Sequence, residues 1–292
     1  MTGFAPHSRW LTVLLAVLLT GCGKPHPVEA HPALWRVADK DTTIWLFGSI
    51  HALPPGVQWR TPAIAQAIAA ADTLILEVPP ANAEAARDEF LAVAQRDGLP
   101  PIRARVAVAD RGLLERGMAS AGLAPESLDR LKTWAAALTL GAAAGRQEAA
   151  SAADGVEPVL TAGFAGRAIG ALETRGGQFA AFDRLPEASQ RLLLLQAAQE
   201  ALDPARGYAL LLKAWAAGDA AALAATLTPL RRDPAIMTAL VTGRNARWAR
   251  AITRRMARPG RVFVAVGAGH LVGPGSVVAM LRRQGVTVER VQ

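Results

Sequence analysis

Two apolar runs of β type lie near opposite ends of the chain, and each is followed at once by Gly-x-x-His. Residues 42–48 (TTIWLFG) lead into Gly48-Ser49-Ile50-His51, and residues 261–266 (RVFVAV) lead into Gly267-Ala268-Gly269-His270. Apolar strands of this kind are buried in a sheet, so the sheet is expected to draw strands from both ends of the sequence. Glycine after a strand lets the chain leave the sheet in conformations closed to other residues and lets another group approach closely. Sites in open α/β sheets gather at the carboxyl ends of strands. The two histidines can therefore meet if their strands are neighbours.

The remaining pattern agrees with that frame. Residues 34–38 and 42–48, joined by Asp39-Lys40-Asp41, read as a β-hairpin. A helix is expected over 61–71, with Thr61 as N-cap and Pro62 at its first position. Residues 73–78 (TLILEV) form a buried strand, stopped by Pro79-Pro80. The middle then predicts helix after helix, over 84–96, about 106–119, 125–140 and 156–166, before a short strand at 168–172. Helices return over 186–257, and the chain closes with strand 261–266, helix 276–283 and strand 286–291. The expected class is α/β (α+β): a central sheet from both ends of the chain, with a mainly helical middle. A hydrophobic fraction of 51% is ample for a core. The roughly 260 residues from 34 onward suit one large domain or a core with an insertion.

The polar residues that interrupt this pattern are few. Of five histidines, only His51 and His270 lie in the globular part, both ending the same motif. Glu77 sits near the end of an apolar strand, where a carboxylate must find a cation, a metal or donors, or take up a proton. Glu173 ends AIGAL in the same way. Singly, such a histidine is usually a hydrogen-bonded core residue and such a glutamate is solvated or capping. Together the four point to a shared polar site. His51, His270 and Glu173 are the candidate ligands of a divalent ion such as Zn²⁺, Mn²⁺ or Co²⁺, with Glu77 as general base or further ligand. Arg244 lies on a stripe with Met237, Val241, Trp248 and Ile252 at helical spacing. It is expected either to reach a buried carboxylate or anionic ligand, or to lay its stem on the core with its head in water. Gly267-Ala268-Gly269 also suggests a dinucleotide loop, but Gly273 comes one residue late and Pro274 delays the helix.

The first residues read as a targeting segment. Arg9 precedes an apolar run over 10–19, too short for a bilayer span of about 20 residues. Leu19-Thr20-Gly21-Cys22 follows, and Cys22 is the only cysteine. This is similar to the lipobox of bacterial lipoproteins, in which the cysteine is lipidated and becomes the N-terminus. Residues 1–21 are then a signal, 22–33 a tether and 34–292 the domain. A membrane partner through the lipid anchor follows, and Gly23 in place of an aspartate favours an outer-membrane location facing the periplasm. The formal charge of +8 comes almost wholly from scattered arginines, not from a basic patch interleaved with aromatics. A nucleic-acid partner is not expected.

The motifs LWRVADKDTTIWLFGSIHALPP, TLILEV, ALETRGGQ, RNARW and VFVAVGAGHLVGPGS, in that order, resemble successive signatures of the TraB/GumN family. The resemblance covers residues 34 to the C-terminus and implies an erythromycin-esterase/TIKI-like fold, since the family includes the TIKI ectodomains described as metal-dependent peptidases. It implies His51, Glu77 and His270 as central residues, supported by Glu173, Arg244 and Asn245. Gly155-Val156-Glu157 departs from the more frequent Gly-Val-Asp, so the extra methylene of Glu157 puts a role there in question. Two expectations follow. One is a metal-dependent hydrolase acting on a peptide or small molecule, with Glu77 as base and Arg244 on the oxyanion. The other is a lipoprotein that captures metal, haem or a peptide signal without turnover.

Overall fold

A computed structural model of the chain describes residues 28–146, 150–226 and 233–292. The expected signal segment, Cys22 and the first part of the tether lie outside them. The strands are β1 (Val28–Glu29), β2 (Leu34–Ala38), β3 (Thr42–Ser49), β4 (Val57–Gln58), β5 (Thr73–Leu76), β6 (Ala168–Ala171), β7 (Gly260–Gly267) and β8 (Glu289–Arg290). Six of them form one sheet in the order β6-β5-β7-β3-β2-β8. Strands from both ends of the chain thus share one sheet, with the C-terminal β7 set between the N-terminal β5 and β3 and with β6 from the middle of the chain at one edge. β2 pairs antiparallel with β3 as the hairpin, while β3, β7, β5 and β6 run parallel. Val28 and Glu29, expected in the tether, instead pair with β4.

The helices are α1 (Pro62–Ala70), α2 (Ala83–Ala94), α3 (Arg111–Ser120), α4 (Thr133–Gly145), α5 (Val156–Gly163), α6 (Arg175–Asp183), α7 (Glu187–Ala201), α8 (Pro204–Ala216), α9 (Ala220–Thr226), α10 (Pro234–Ile236), α11 (Gly243–Met256) and α12 (Val277–Arg283). Between α10 and α11 the chain makes a π-helical turn over Met237–Thr242. Among the described residues no helix is long and apolar enough to cross a membrane.

Local chemistry accounts for most of these boundaries. Thr61 accepts a hydrogen bond from the Ile64 amide at 3.4 Å and Pro62 opens α1, as expected. Three segments differ from the sequence pattern, the first being the closing strand expected over 286–291, which is a strand only at Glu289–Arg290, where it pairs with β2. Residues 125–132, expected as helix, are turns, because the buried Arg105 guanidinium donates to the carbonyls of Asp129 and Leu131 and Asp129 accepts from the Ile102 amide. Those carbonyls are therefore unavailable to a helical ladder. Conversely, α6 forms despite Gly176-Gly177, since Thr174 caps the Gly177 amide at 3.1 Å.

Two hydrophobic cores result. The larger sandwiches the sheet: Phe47 and Phe263 from neighbouring strands meet Trp215 of α8 and Phe164, which follows α5, while Ile44 and Val264 alternate to the other face with Ile252 of α11. The second belongs to the helical middle, around Trp134, Leu140, Leu194 and Ala198. The carboxyl ends of β5 and β6 lead into α2 and α6, whose Phe90, Phe179 and Phe182 pack on the second core.

Candidate functional site

The register of the sheet brings the two Gly-x-x-His motifs together. Ser49 lies opposite Gly267 in the parallel β3–β7 pair. A Cβ on Gly48 would lie 2.9 Å from the Ala268 Cα, so the approach of the two motifs requires glycine there. Glu77 and Glu173 leave the next two strands side by side, with the Glu173 amide donating to the Glu77 carbonyl at 3.1 Å. The sequence-expected residues thus share one edge of the sheet.

Their partners differ in ways the motifs do not announce. His51 Nδ1 lies 2.7 Å from Glu157 Oε1, which also accepts from Ser49 Oγ at 2.6 Å. Glu157 reaches both because the start of α5 is laid against the His51 loop. The Val156 amide donates to the Ile50 carbonyl at 3.1 Å, and a Cβ on Gly155 would fall 2.1 Å from the His51 carbonyl oxygen. The longer glutamate at 157 therefore keeps its contact with His51. That hydrogen bond outweighs partial burial and, with the charges of Glu157 and Glu77, raises the His51 pKa to about 8. The imidazole side chain is 76% exposed, so its Nε2 is open to the solvent side.

His270 carries the opposite state. Its Nδ1 is 2.6 Å from Asn245 Oδ1, and Asn245 Nδ2 donates to the Gly275 carbonyl at 2.7 Å. That orientation makes Asn245 Oδ1 the acceptor, puts the ring hydrogen on Nδ1, and leaves Nε2 bare. Burial against Trp248, at 4.6 Å between ring centroids, depresses the pKa to about 4, and Arg244 and His51 add to the depression against the pull of Glu77. The two identical motifs thus hold one cationic and one neutral histidine at neutral pH.

Arg244 joins the carboxylates. Its Nε donates to Glu173 Oε1 at 2.9 Å, Nη2 to both Glu77 and Glu173, and Nη1 to the Leu240 carbonyl at 3.2 Å; Nη1 also faces His270 Nε2 at 3.4 Å. All five guanidinium hydrogens have partners, and the residue is only 4% exposed. Of the two readings of this arginine, the buried carboxylate applies. The expected role on a substrate oxyanion gives way to an ion pair, because no donor is left over. Glu77 also accepts from Gln178 Nε2 at 2.7 Å and from the Gly267 amide at 3.1 Å. Burial alone would raise its pKa, but neighbouring positive charge and the Gly267 amide hold it below the ordinary value. At neutral pH that charge is Arg244, since His270 is then unprotonated.

A cleft of about 800 Å³ opens at this edge, with His51, Glu77, Glu157, Thr161, Arg175 and Gln178 as its polar residues. Its walls are largely apolar and include Pro79, Pro80 and Pro158. His51 and Glu77 line it, whereas His270 is set back against Asn245, Trp248 and Arg244. Gln178 and Arg175 were not anticipated as site residues. The available signal for Gln178 was a capping threonine four residues before an amide. Arg175 ties α6 to the loop after β5 by donating to the Pro79 carbonyl at 2.7 Å.

The expected ligands of a divalent ion are already engaged. Glu173, an expected ligand, is covered by Arg244, with Arg247 Nη2 at 3.9 Å from its other oxygen. Glu77 and His270 face the same guanidinium. Among the described residues no three His, Asp or Glu side chains are grouped to hold an ion. The arrangement fits a metal poorly, because a fixed cation already stands among the expected ligands.

No curated protein and no solved structure matches the chain. The family comparison does: the chain belongs to the TraB/PrgY/gumN family, whose model matches residues 33–290.

Proposed function

We propose that this chain is a lipid-anchored protein of the cell envelope whose domain hydrolyses a peptide or small-molecule substrate in the cleft beside His51. The observation that carries the reading is the pairing in one cleft of His51, raised to about 8, with Glu77, held ionised below its ordinary value. Titratable groups whose surroundings push their pKa values apart divide acid from base work. His51, protonated and held at Nδ1 by Glu157, offers its Nε2 proton to a substrate carbonyl or leaving group. Glu77 Oε2, with the Gly267 amide as its one partner, retains a lone pair to orient and deprotonate a water. Arg244 and Asn245 act through the others, holding Glu77 and His270 in place without lining the cleft, while Gln178 holds Glu77 from the cleft wall.

A metal-dependent form of the same hydrolysis is the second reading. It is favoured by the anchoring of both imidazoles through Nδ1, as in metal-bound histidines, which leaves Nε2 of His51 open and sets Nε2 of His270 against Arg244. It requires Arg244 to release its carboxylates, so no step is drawn through it. Incubation with a peptide mixture in ¹⁸O-water, read by mass spectrometry, tests the proposal. Wild type should form labelled products, and His51→Asn and Glu77→Gln should not. Product formation that survives both substitutions would end the reading. Absence of product, with a Soret band on adding haemin or stoichiometric metal by elemental analysis, would establish capture in its place.

A further inference from the structure

The helical lobe has a groove of its own, away from the catalytic cleft. It lies between α2, the turns at residues 124–131, α4 and α6, and has a volume of about 660 Å³, within the usual range for ligand sites. Phe90, Leu138 and Phe179 form an apolar floor, partly uncovered, on the aromatic cluster that joins Phe90 to Phe179 at 5.6 Å and Phe179 to Trp134 at 6.0 Å. Exposed aromatic and aliphatic surface of this kind in a concavity marks a binding site more often than chance exposure does.

The rim is basic. Arg87 on α2, Arg130 in the turns and Arg146 after α4 come from three separate elements, against one lining carboxylate, Glu126. Arg130 meets Asp97 at 3.2 Å, but those side chains are 74% and 91% exposed, and such a pair holds the guanidinium weakly. An apolar floor under exposed guanidinium groups complements a molecule with an apolar body and an anionic head. Three walls are helices whose backbone groups are bonded internally. In the turns the Ser127, Asp129 and Leu131 amides bond within the loop, while Arg105 takes the Asp129 and Leu131 carbonyls. An extended peptide would therefore find few main-chain partners there, whereas an alkyl chain needs none.

We propose that this groove binds a single-chain amphiphile with an anionic head, such as a long-chain carboxylate. The site is independent of the cleft beside His51, and no residue lines both.

Calorimetric titration of the full-length protein with oleate, below the concentration at which it forms micelles, tests this. Saturable one-to-one binding is expected, at least tenfold weaker for oleyl alcohol and at least tenfold weaker in Arg87→Glu/Arg146→Glu. Both substituted residues are exposed, and if a melt shows that double variant misfolded, Arg87→Gln/Arg146→Gln takes its place. His51→Asn should bind oleate as wild type does. The proposal is overturned by absence of saturable binding, by equal affinity for the alcohol, or by an unaffected arginine variant. It is also overturned if His51→Asn abolishes binding, which puts oleate in the other cleft, or if only phosphatidylglycerol vesicles and not monomeric oleate bind.

Discussion

Replacing Arg244 by Met removes the cation shared by two buried carboxylates while keeping much of the side-chain volume. Glu77 and Glu173 are each 12% exposed and the arginine side chain 5%. At an effective dielectric of about 20, an ion pair at contact attracts by about 4 kcal/mol, and desolvation offsets part of that. Removing one partner of a buried pair leaves the other charge uncompensated and costs about 3–5 kcal/mol. For a domain of this size that corresponds to a fall in Tm of about 10 °C. The loss should depend on pH. In the wild type the Glu77 pKa is depressed, so its contribution is present above the ordinary value of 4.5 and fades as pH falls through the depressed value. In the variant Glu77 loses the Arg244 charge, burial pushes it up, and a proton relieves it as pH falls. The deficit should therefore be full at pH 7.5 and much smaller at pH 5. Urea unfolding followed by tryptophan fluorescence at both pH values measures it. Adding Glu173→Gln to Arg244→Met should recover part of the loss. A deficit below about 1 kcal/mol at pH 7.5, or one equal at the two pH values, would refute the ion-pair account, since it is then no larger than a surface pair.

Three further outcomes are expected, two from the geometry of the histidines and one from the Leu19–Cys22 sequence pattern. By NMR, His51 should titrate near 8, and Glu157→Gln should bring it down toward 6.5; an unchanged midpoint would detach Glu157 from His51. The lowered pKa of His270 means that the unfolded chain binds a proton below 6.5 that the folded one refuses until about 4, so stability should fall over that range by up to about 3 kcal/mol. His51 acts in the other direction: its contribution is present below 6.5 and is lost as pH rises through about 8, so the urea midpoint should peak near pH 6.5 and a flat profile would contradict both shifts. Finally, Cys22→Ala should abolish labelling by a fatty-acid analogue and retention in the membrane fraction, and a variant retained as firmly as wild type would end the lipid-anchor reading.

What sequence alone determined about this protein is what local periodicity and composition can carry. The buried strands at both ends, the Thr61–Pro62 start of α1, the paired Gly-x-x-His ends and the need of Glu77 for a partner all arise from neighbours within a few residues. Propensity failed where a distant group overruled it, at the turns held by Arg105 and at α6 with its two glycines. Tertiary structure alone decided the partners. Register places Ser49 against Gly267, α5 brings Glu157 to His51, and α11 brings Asn245 to His270 and Arg244 to both carboxylates. Two Gly-x-x-His motifs therefore end in different charge states, one cationic and one neutral. The physical reason is that a pKa and an ion pair depend on which charges and how much water surround a group within a few ångströms, and those neighbours come from elements far apart in the chain.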